Sequence, residues 1–139
     1  TGESRKSSKI ITSQISGVKE EDSSVLEALH NIKKEAYIMK NFLLLGDFKG
    51  VVNCFIESWT AKNQSSSFIL TPKIEEIYNT AMNNGASSCK ISGAGGGGHI
   101  IFYVEMEKRR SLIKSLNKFD GKVMNCNFSK YGAQSWTIY

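Results

Sequence analysis

Residues 90–99 read K-I-S-G-A-G-G-G-G-H, and five of the chain's twelve glycines fall in the six positions from Gly93 to Gly98. Gly93, Gly95 and Gly98 satisfy G-x-G-x-x-G to the letter. A dinucleotide loop, however, needs a helix after it, so that the pyrophosphate meets the helix N-terminus. Here the glycines lead into Ile100 to Val104, a continuous apolar run of strand length rich in β-branched and aromatic residues. No acidic residue closes a strand about twenty residues later, since Asp120 falls in a turn after a helix. A Walker loop is excluded too, because no Lys-Ser or Lys-Thr ends the run. The stretch reads as strand, glycine loop, strand. A hairpin turn needs one or two glycines, and each further Gly in ordered structure costs about 0.5–1 kcal/mol relative to Ala. Two reasons for five remain open at this point. Bare successive N–H groups form an anion-binding nest, or the backbone packs too closely for any Cβ.

Working outward, Ser88 to Ser92 forms the strand before the loop. Upstream of it, Thr71-Pro72 is a helix start, Thr as N-cap and Pro at the first helical position. Ile74, Ile77, Tyr78 and Ala81 form its buried stripe, and Asn83-Asn84-Gly85 ends it. Further back, Val25, Leu29, Ile32, Ala36, Met39 and Leu43 recur at alternating four and three, one face of a long helix. Asp22 or Ser23 caps it and Gly46 stops it. Asp47 then caps a second helix with Phe48, Val51, Val52, Phe55, Ile56 and Trp59 on its apolar face. Ser4 to Ile15 has weak helical spacing, and Gly17 to Asp22 reads as a polar break. Downstream, Met106 to Asn117 is helical, Asp120-Gly121 turns, and Lys122 to Ser129 and Ala133 to Tyr139 are two more strands. The order is four helices, then strand-loop-strand-helix-strand-strand. This predicts an α+β fold, ferredoxin-like, with a four-stranded, mostly antiparallel sheet and helices packed on one face.

The chain has 139 residues, the size of one domain, with a net charge of +5. Its basic residues are scattered, Lys33-Lys34 on one helix and Lys108-Arg109-Arg110 on another, without a tail-like run. Nucleic-acid binding is disfavoured, because no aromatic stacking platform accompanies them. Cys54, Cys89 and Cys126 are odd in number and form no C-x-x-C, which suits reduced thiols in a cytoplasmic protein. His30 and His99 lack ligand-spaced companions, so no metal site is expected. No apolar run reaches membrane-spanning length, and no signal-peptide pattern opens the chain. It opens on Thr1-Gly2 rather than Met, so a further upstream domain is expected.

Gly85-Ala86 followed by Lys90-Ile91-Ser92-Gly93-Ala94-Gly95-Gly96-Gly97-Gly98 closely resembles the third motif of the GHMP kinases, which lies in their C-terminal domain. The Thr71-Pro72 helix and the closing segment from Gly132 to Trp136 resemble that domain as well, so the likeness covers residues 1–139. Thr1-Gly2-Glu3-Ser4-Arg5-Lys6-Ser7-Ser8, Leu29-His30-Asn31-Ile32-Lys33 and Glu57-Ser58-Trp59-Thr60-Ala61-Lys62 are most similar to the D-glycero-D-manno-heptose 7-phosphate kinases within the superfamily. The chain departs from the family pattern at Ser87-Ser88-Cys89, at His99 where an aromatic is common, and at Glu105-Met106.

The resemblance implies the C-terminal half of an ATP- and Mg2+-dependent kinase for the anomeric hydroxyl of a heptose phosphate, working in the cytoplasm on the route to surface polysaccharide. Mevalonate kinases and other sugar-1-kinases share much of the pattern. The family's ATP loop and catalytic acidic residue belong to the N-terminal domain, so no catalytic residue is assigned here. By resemblance, Gly93, Ala94, Gly95, Gly96, Gly97 and Gly98 form a phosphate-proximal loop, expected to be mobile without its partner domain. Lys90 either neutralises substrate phosphate or is a solvated strand lysine. Arg5, Ser7 and Ser8 at a helix start either hold the sugar or its phosphate, or simply cap the helix. Lys62, in the loop after Trp59, is placed to reach the 7-phosphate. Trp59 reads as core with a polar tip, His30 as structural or surface, and Cys54 as core. Outside the kinases, the alternative is a free-standing ferredoxin-like module that binds a small anion.

Overall fold

The computed structural model describes residues 1–3, 7–127 and 129–137. Helix α1 (Ser7–Lys19) buries Ile10 and Gly17. Gly17 is not the break that its sequence suggests. A Cβ there would lie 2.8 Å from Val25 Cγ2, so the glycine lets α1 lie against the start of α2 (Ser23–Leu45). The Asp22 carboxylate caps α2, accepting from the N–H groups of Ser24 and Val25. Those bonds, led by one from the Ser24 hydroxyl, hold its pKa below the ordinary carboxylate value. At the other end Gly46 turns left-handed at φ 69°; its N–H donates to Leu43 O and that of Asp47 to Phe42 O. These two bonds satisfy carbonyls that the helix end would orphan.

Asp47 at once caps α3 (Phe48–Gln64), accepting from Gly50 N–H at 3.0 Å, so α2 and α3 form an antiparallel hairpin. Their packing differs in detail from the expected stripes. Val51, Cys54, Ser58 and Ala61 are buried, whereas Ala36, Leu43, Phe48 and Ile56 are exposed. Gly50 allows the approach, since a Cβ there would meet the Phe42 ring at 2.4 Å. Thr71 Oγ1 caps α4 (Pro72–Asn83) through Ile74 N–H at 3.3 Å, with Pro72 at the first turn, as its sequence indicates.

Strand β1 (Ala86–Ile91) pairs antiparallel with β2 (Ile100–Val104), and α5 (Met106–Leu116) comes next. A register shift between Ala86 and Ser88 keeps Ala86 on the same face as Cys89 and Ile91, against the strict alternation of a regular strand. That face meets two core clusters. Ile10, Ile69, Ile74 and Ile91 form one, with Trp59, Ala94 and Ile100 packed on it. Ala81, Ala86 and Leu112 form the other, joined by Phe102, Val104 and Leu116. Helix α4 serves both and is the keel of the domain.

Among the described residues the sheet has two strands rather than four. No strand appears in 122–127 or 129–137, the described parts of the expected outer pair. Strand preference expresses fit to a half-buried pleated surface. From Lys122 to Asn127 only Val123 is partly covered, and every described residue from Ser129 to Thr137 is exposed. Beside this segment a cavity of about 720 Å³ runs along β2 and α5, lined by Ile101, Tyr103, Ile113, Leu116 and Phe119 on one side and 121–127 on the other.

Candidate functional site

The glycine loop joins β1 to β2, and Ser92 N–H donates to His99 O at 2.9 Å across its neck. Gly93, Gly95, Gly96 and Gly98 all have φ between 70° and 99°, the left-handed region that side chains resist. The middle of the loop is packed. Gly95, Gly96 and Gly97 are buried, and a Cβ on Gly95 would lie 2.6 Å from Ile69 Cγ2. Gly96 N–H donates to Ile69 O at 2.8 Å and Gly98 N–H to Glu3 O at 3.3 Å. The shoulders are open: both Gly93 and Gly98 are exposed, with empty space where a side chain would start. Both reasons for the glycines therefore hold, at different positions. The loop is an arch whose centre is bonded to and packed on Ile69.

Among the described residues, Gly96 and Gly98 are the loop glycines whose N–H groups find an acceptor, and those of Gly93, Ala94 and Gly97 are among the ones that do not. A buried one such as Gly97 is unusual, because buried N–H groups are nearly always paired. Unspent donors on a backbone held from beneath are suited to an anion.

The arch rests on the segment 65–71. Ser65 Oγ accepts from Gln14 Nε2 at 2.8 Å, Ser66 Oγ bonds Ser13 Oγ at 3.1 Å, and Lys9 Nζ lies 4.1 Å over the Phe68 ring. These contacts dock α1 beside the platform that carries Ile69. Ser7 and Ser8 are exposed in the first turn of α1. Ser7 is four residues beyond Glu3, so its Cα is within about 14 Å of the Glu3–Gly98 contact. The start of α1 and the arch thus share one end of the domain. Arg5 lies outside the described residues.

Lys62 is in the last turn of α3 rather than in a loop beyond it, half-buried, with its carbonyl accepting from Ser65 Oγ at 2.8 Å. Lys90 pairs with Ile101 on the sheet face opposite the core, half-exposed, and no hydrogen bond joins it to the arch among the described residues. The Trp59 ring stacks on Tyr78 at 4.6 Å and 11°, which ties α3 to α4 and occupies one ring face. His30 and His99 are both exposed. Cys54 and Cys89 are buried thiols: burial, then the Glu35 hydrogen bond, pushes Cys54 up to about 11, and burial alone pushes Cys89 up to about 12. Neither is poised as a nucleophile at neutral pH. No group of three His, Cys, Asp or Glu that could hold a metal ion exists among the described residues. Ile69 and Glu3, which hold the arch, carry no sequence signal; an isoleucine in a polar loop is the only hint.

A helical hairpin and keel helix under a β-hairpin closed by a glycine arch define an α+β domain with an anion-suited backbone loop. Residues 43–120 match the family of GHMP kinases, C terminal, and the chain belongs to it. It is 41% identical over 117 residues to a D-glycero-alpha-D-manno-heptose 7-phosphate kinase of Campylobacter jejuni, covering 84% of this chain and 34% of that protein. A mevalonate kinase of Methanocaldococcus jannaschii is 43% identical over 58 residues, 42% of this chain and 18% of that one. A galactokinase of Candida parapsilosis is 29% identical over 102 residues, 66% of this chain and 19% of that one. A crystal structure from Campylobacter jejuni, assigned as a sugar kinase, superposes with a TM-score of 0.61 at 41% identity, over 80% of this chain and 34% of that one. The chain therefore spans about a third of the heptose kinase that it matches, and less of the other two.

Proposed function

We propose that this chain is the C-terminal, substrate-side half of an ATP-dependent sugar-phosphate kinase that phosphorylates the anomeric hydroxyl of D-glycero-D-manno-heptose 7-phosphate. The observation that carries this reading is the 41% identity over 84% of the chain to a protein of that name. The arch supports it chemically. Phosphoryl transfer asks a protein chiefly for positioning and charge stabilisation. Donors fixed before the reaction are worth more than donors that must reorganise. The N–H groups of Gly93, Ala94 and Gly97 are such donors, held in place through Ile69.

The remaining roles rest on residue chemistry and on the family resemblance. Ser7 and Ser8, with Arg5, hold the sugar or its phosphate at the N-terminus of α1, where helix N–H groups lack partners. Lys62 and Lys90 supply positive charge to the substrate phosphate. ATP supplies the γ-phosphoryl group. By resemblance to the family, the catalytic acidic residue and most nucleotide contacts are assigned to the N-terminal domain, with Mg2+ accompanying ATP. Residues 122–129 and 133–139 form outer strands beside β2 in the complete enzyme, a place that the cavity along β2 leaves open. The family resemblance implies a cytoplasmic setting.

A substrate panel on the full-length protein tests the reading. Heptose 7-phosphate should be preferred over mevalonate and galactose, and Lys62→Ala or Lys90→Ala should raise its KM about tenfold, the loss of one charged hydrogen bond. Preference for mevalonate or galactose would remove the substrate assignment.

A further inference from the structure

The arch has a second support, separate from Ile69. Gly98 N–H donates to Glu3 O at 3.3 Å, and the Thr1 nitrogen lies 2.9 Å from Gly98 O. On its far side the same short segment lies backbone to backbone against the turn after α5. Gly2 has φ +71°, and a Cβ on it would meet Asp120 O at 2.8 Å. A Cβ on Gly121 would lie 3.1 Å from Thr1 C. A side chain on Gly2 would collide with the turn, and one on Gly121 would crowd the strap. The segment is also tied to the keel helix. Thr71 Oγ1, while accepting from Ile74 N–H, donates to Glu3 Oε2 at 3.4 Å. Lys73 faces Asp120 at 3.8 Å across the same crossing.

We propose that Thr1–Gly2–Glu3 is a strap that sets the open shoulder of the arch, with Gly2 and Glu3 as positioning residues for phosphoryl transfer. It is wedged between the 120–121 turn and Gly98, so any displacement of the strap moves the end of the arch nearest His99. The kinetic half of this inference rests on the kinase reading; the structural half does not.

The test uses the full-length protein. Gly2→Val and Gly121→Val wedge open the same strap–turn contact, one from each partner, and only Gly2 carries the added penalty of a left-handed φ. Gly132→Ala is the control, since a Cβ there meets nothing within 4 Å. Amide hydrogen exchange reads the arch and steady-state kinetics reads the reaction. Both valine variants should speed exchange at Gly98 about fivefold or more, the loss of one backbone bond, with α2 and α3 unchanged. Both should lower kcat about tenfold or more with little change in KM for the sugar phosphate, as expected when reacting groups are misplaced. Gly132→Ala should match the parent in every measure. Unchanged exchange at Gly98, or uniformly faster exchange through α2 and α3, overturns the strap. Faster exchange at Gly98 with parental kcat overturns its positioning role. If the parent phosphorylates no sugar phosphate while both variants speed Gly98 exchange, the kinase reading fails and the strap stands.

Discussion

At Gly95 a methyl group would have nowhere to go. Its Cβ would sit 2.6 Å from Ile69 Cγ2, beneath a backbone at φ +99°, and Ile69 is fully buried. Gly93 shares the left-handed backbone at φ +77° but faces open space. Gly95→Ala should therefore destabilise the fold by about 2–4 kcal/mol, strain plus overpacking. Gly93→Ala should cost about 1–2 kcal/mol from conformation alone. Denaturant unfolding of the two variants checks the order; equal losses would mean that Ile69 does not pin the arch. The buried thiols give a second prediction. Unfolded cysteines ionise near 9.0, whereas Cys54 and Cys89 in the fold are pushed up to about 11 and about 12. Their contribution to stability is complete below pH 9.0 and is lost as pH rises through 11 to 12. The alkaline limb of stability against pH should flatten in Cys54→Ala and Cys89→Ala. The reading of glycine count and type was available in the sequence. Which glycine packs and which is bare was not, because Ile69 and Glu3 meet the arch from distant segments of the chain.

Among the elements, the caps were legible and the close contacts were not. Asp22, Gly46, Asp47 and Thr71-Pro72 act within four residues of themselves, and each terminates its helix where the sequence places it. Gly17 reads as a breaker only until Val25 is seen against it. Gly50 is the sharper case. Alanine there gains about 1 kcal/mol of helix propensity. It also drives a Cβ to 2.4 Å from a rigid Phe42 ring, an overpacking cost of about 1–3 kcal/mol. The clash should win, so Gly50→Ala should lower the Tm, and Phe42→Leu should recover part of the loss in the double variant. A higher Tm for Gly50→Ala would show that the α2–α3 hairpin yields there. The outer strands are not formed among the described residues, for a related reason. Strand propensity in 122–127 needs a surface to lie on, and in the described chain that stretch stays uncovered.

At the scale of the molecule, family membership rests on the match over residues 43–120, and function rests on a likeness to proteins of which the match covers about a third or less. The arch offers donors, and Ser7 and Ser8 at the start of α1 share its end of the domain, yet the described residues hold no metal-binding cluster. Because the chain spans about a third of the heptose kinase that it matches, the 139-residue chain on its own should show no ATP turnover, and co-expression with the N-terminal domain should restore it. The most direct measurement is phosphorus NMR of heptose 7-phosphate incubated with ATP, Mg2+ and the full-length protein. The account predicts a new anomeric phosphate resonance that grows in step with ADP. A spectrum in which heptose 7-phosphate stays unchanged while the same preparation consumes ATP with mevalonate or galactose would contradict it.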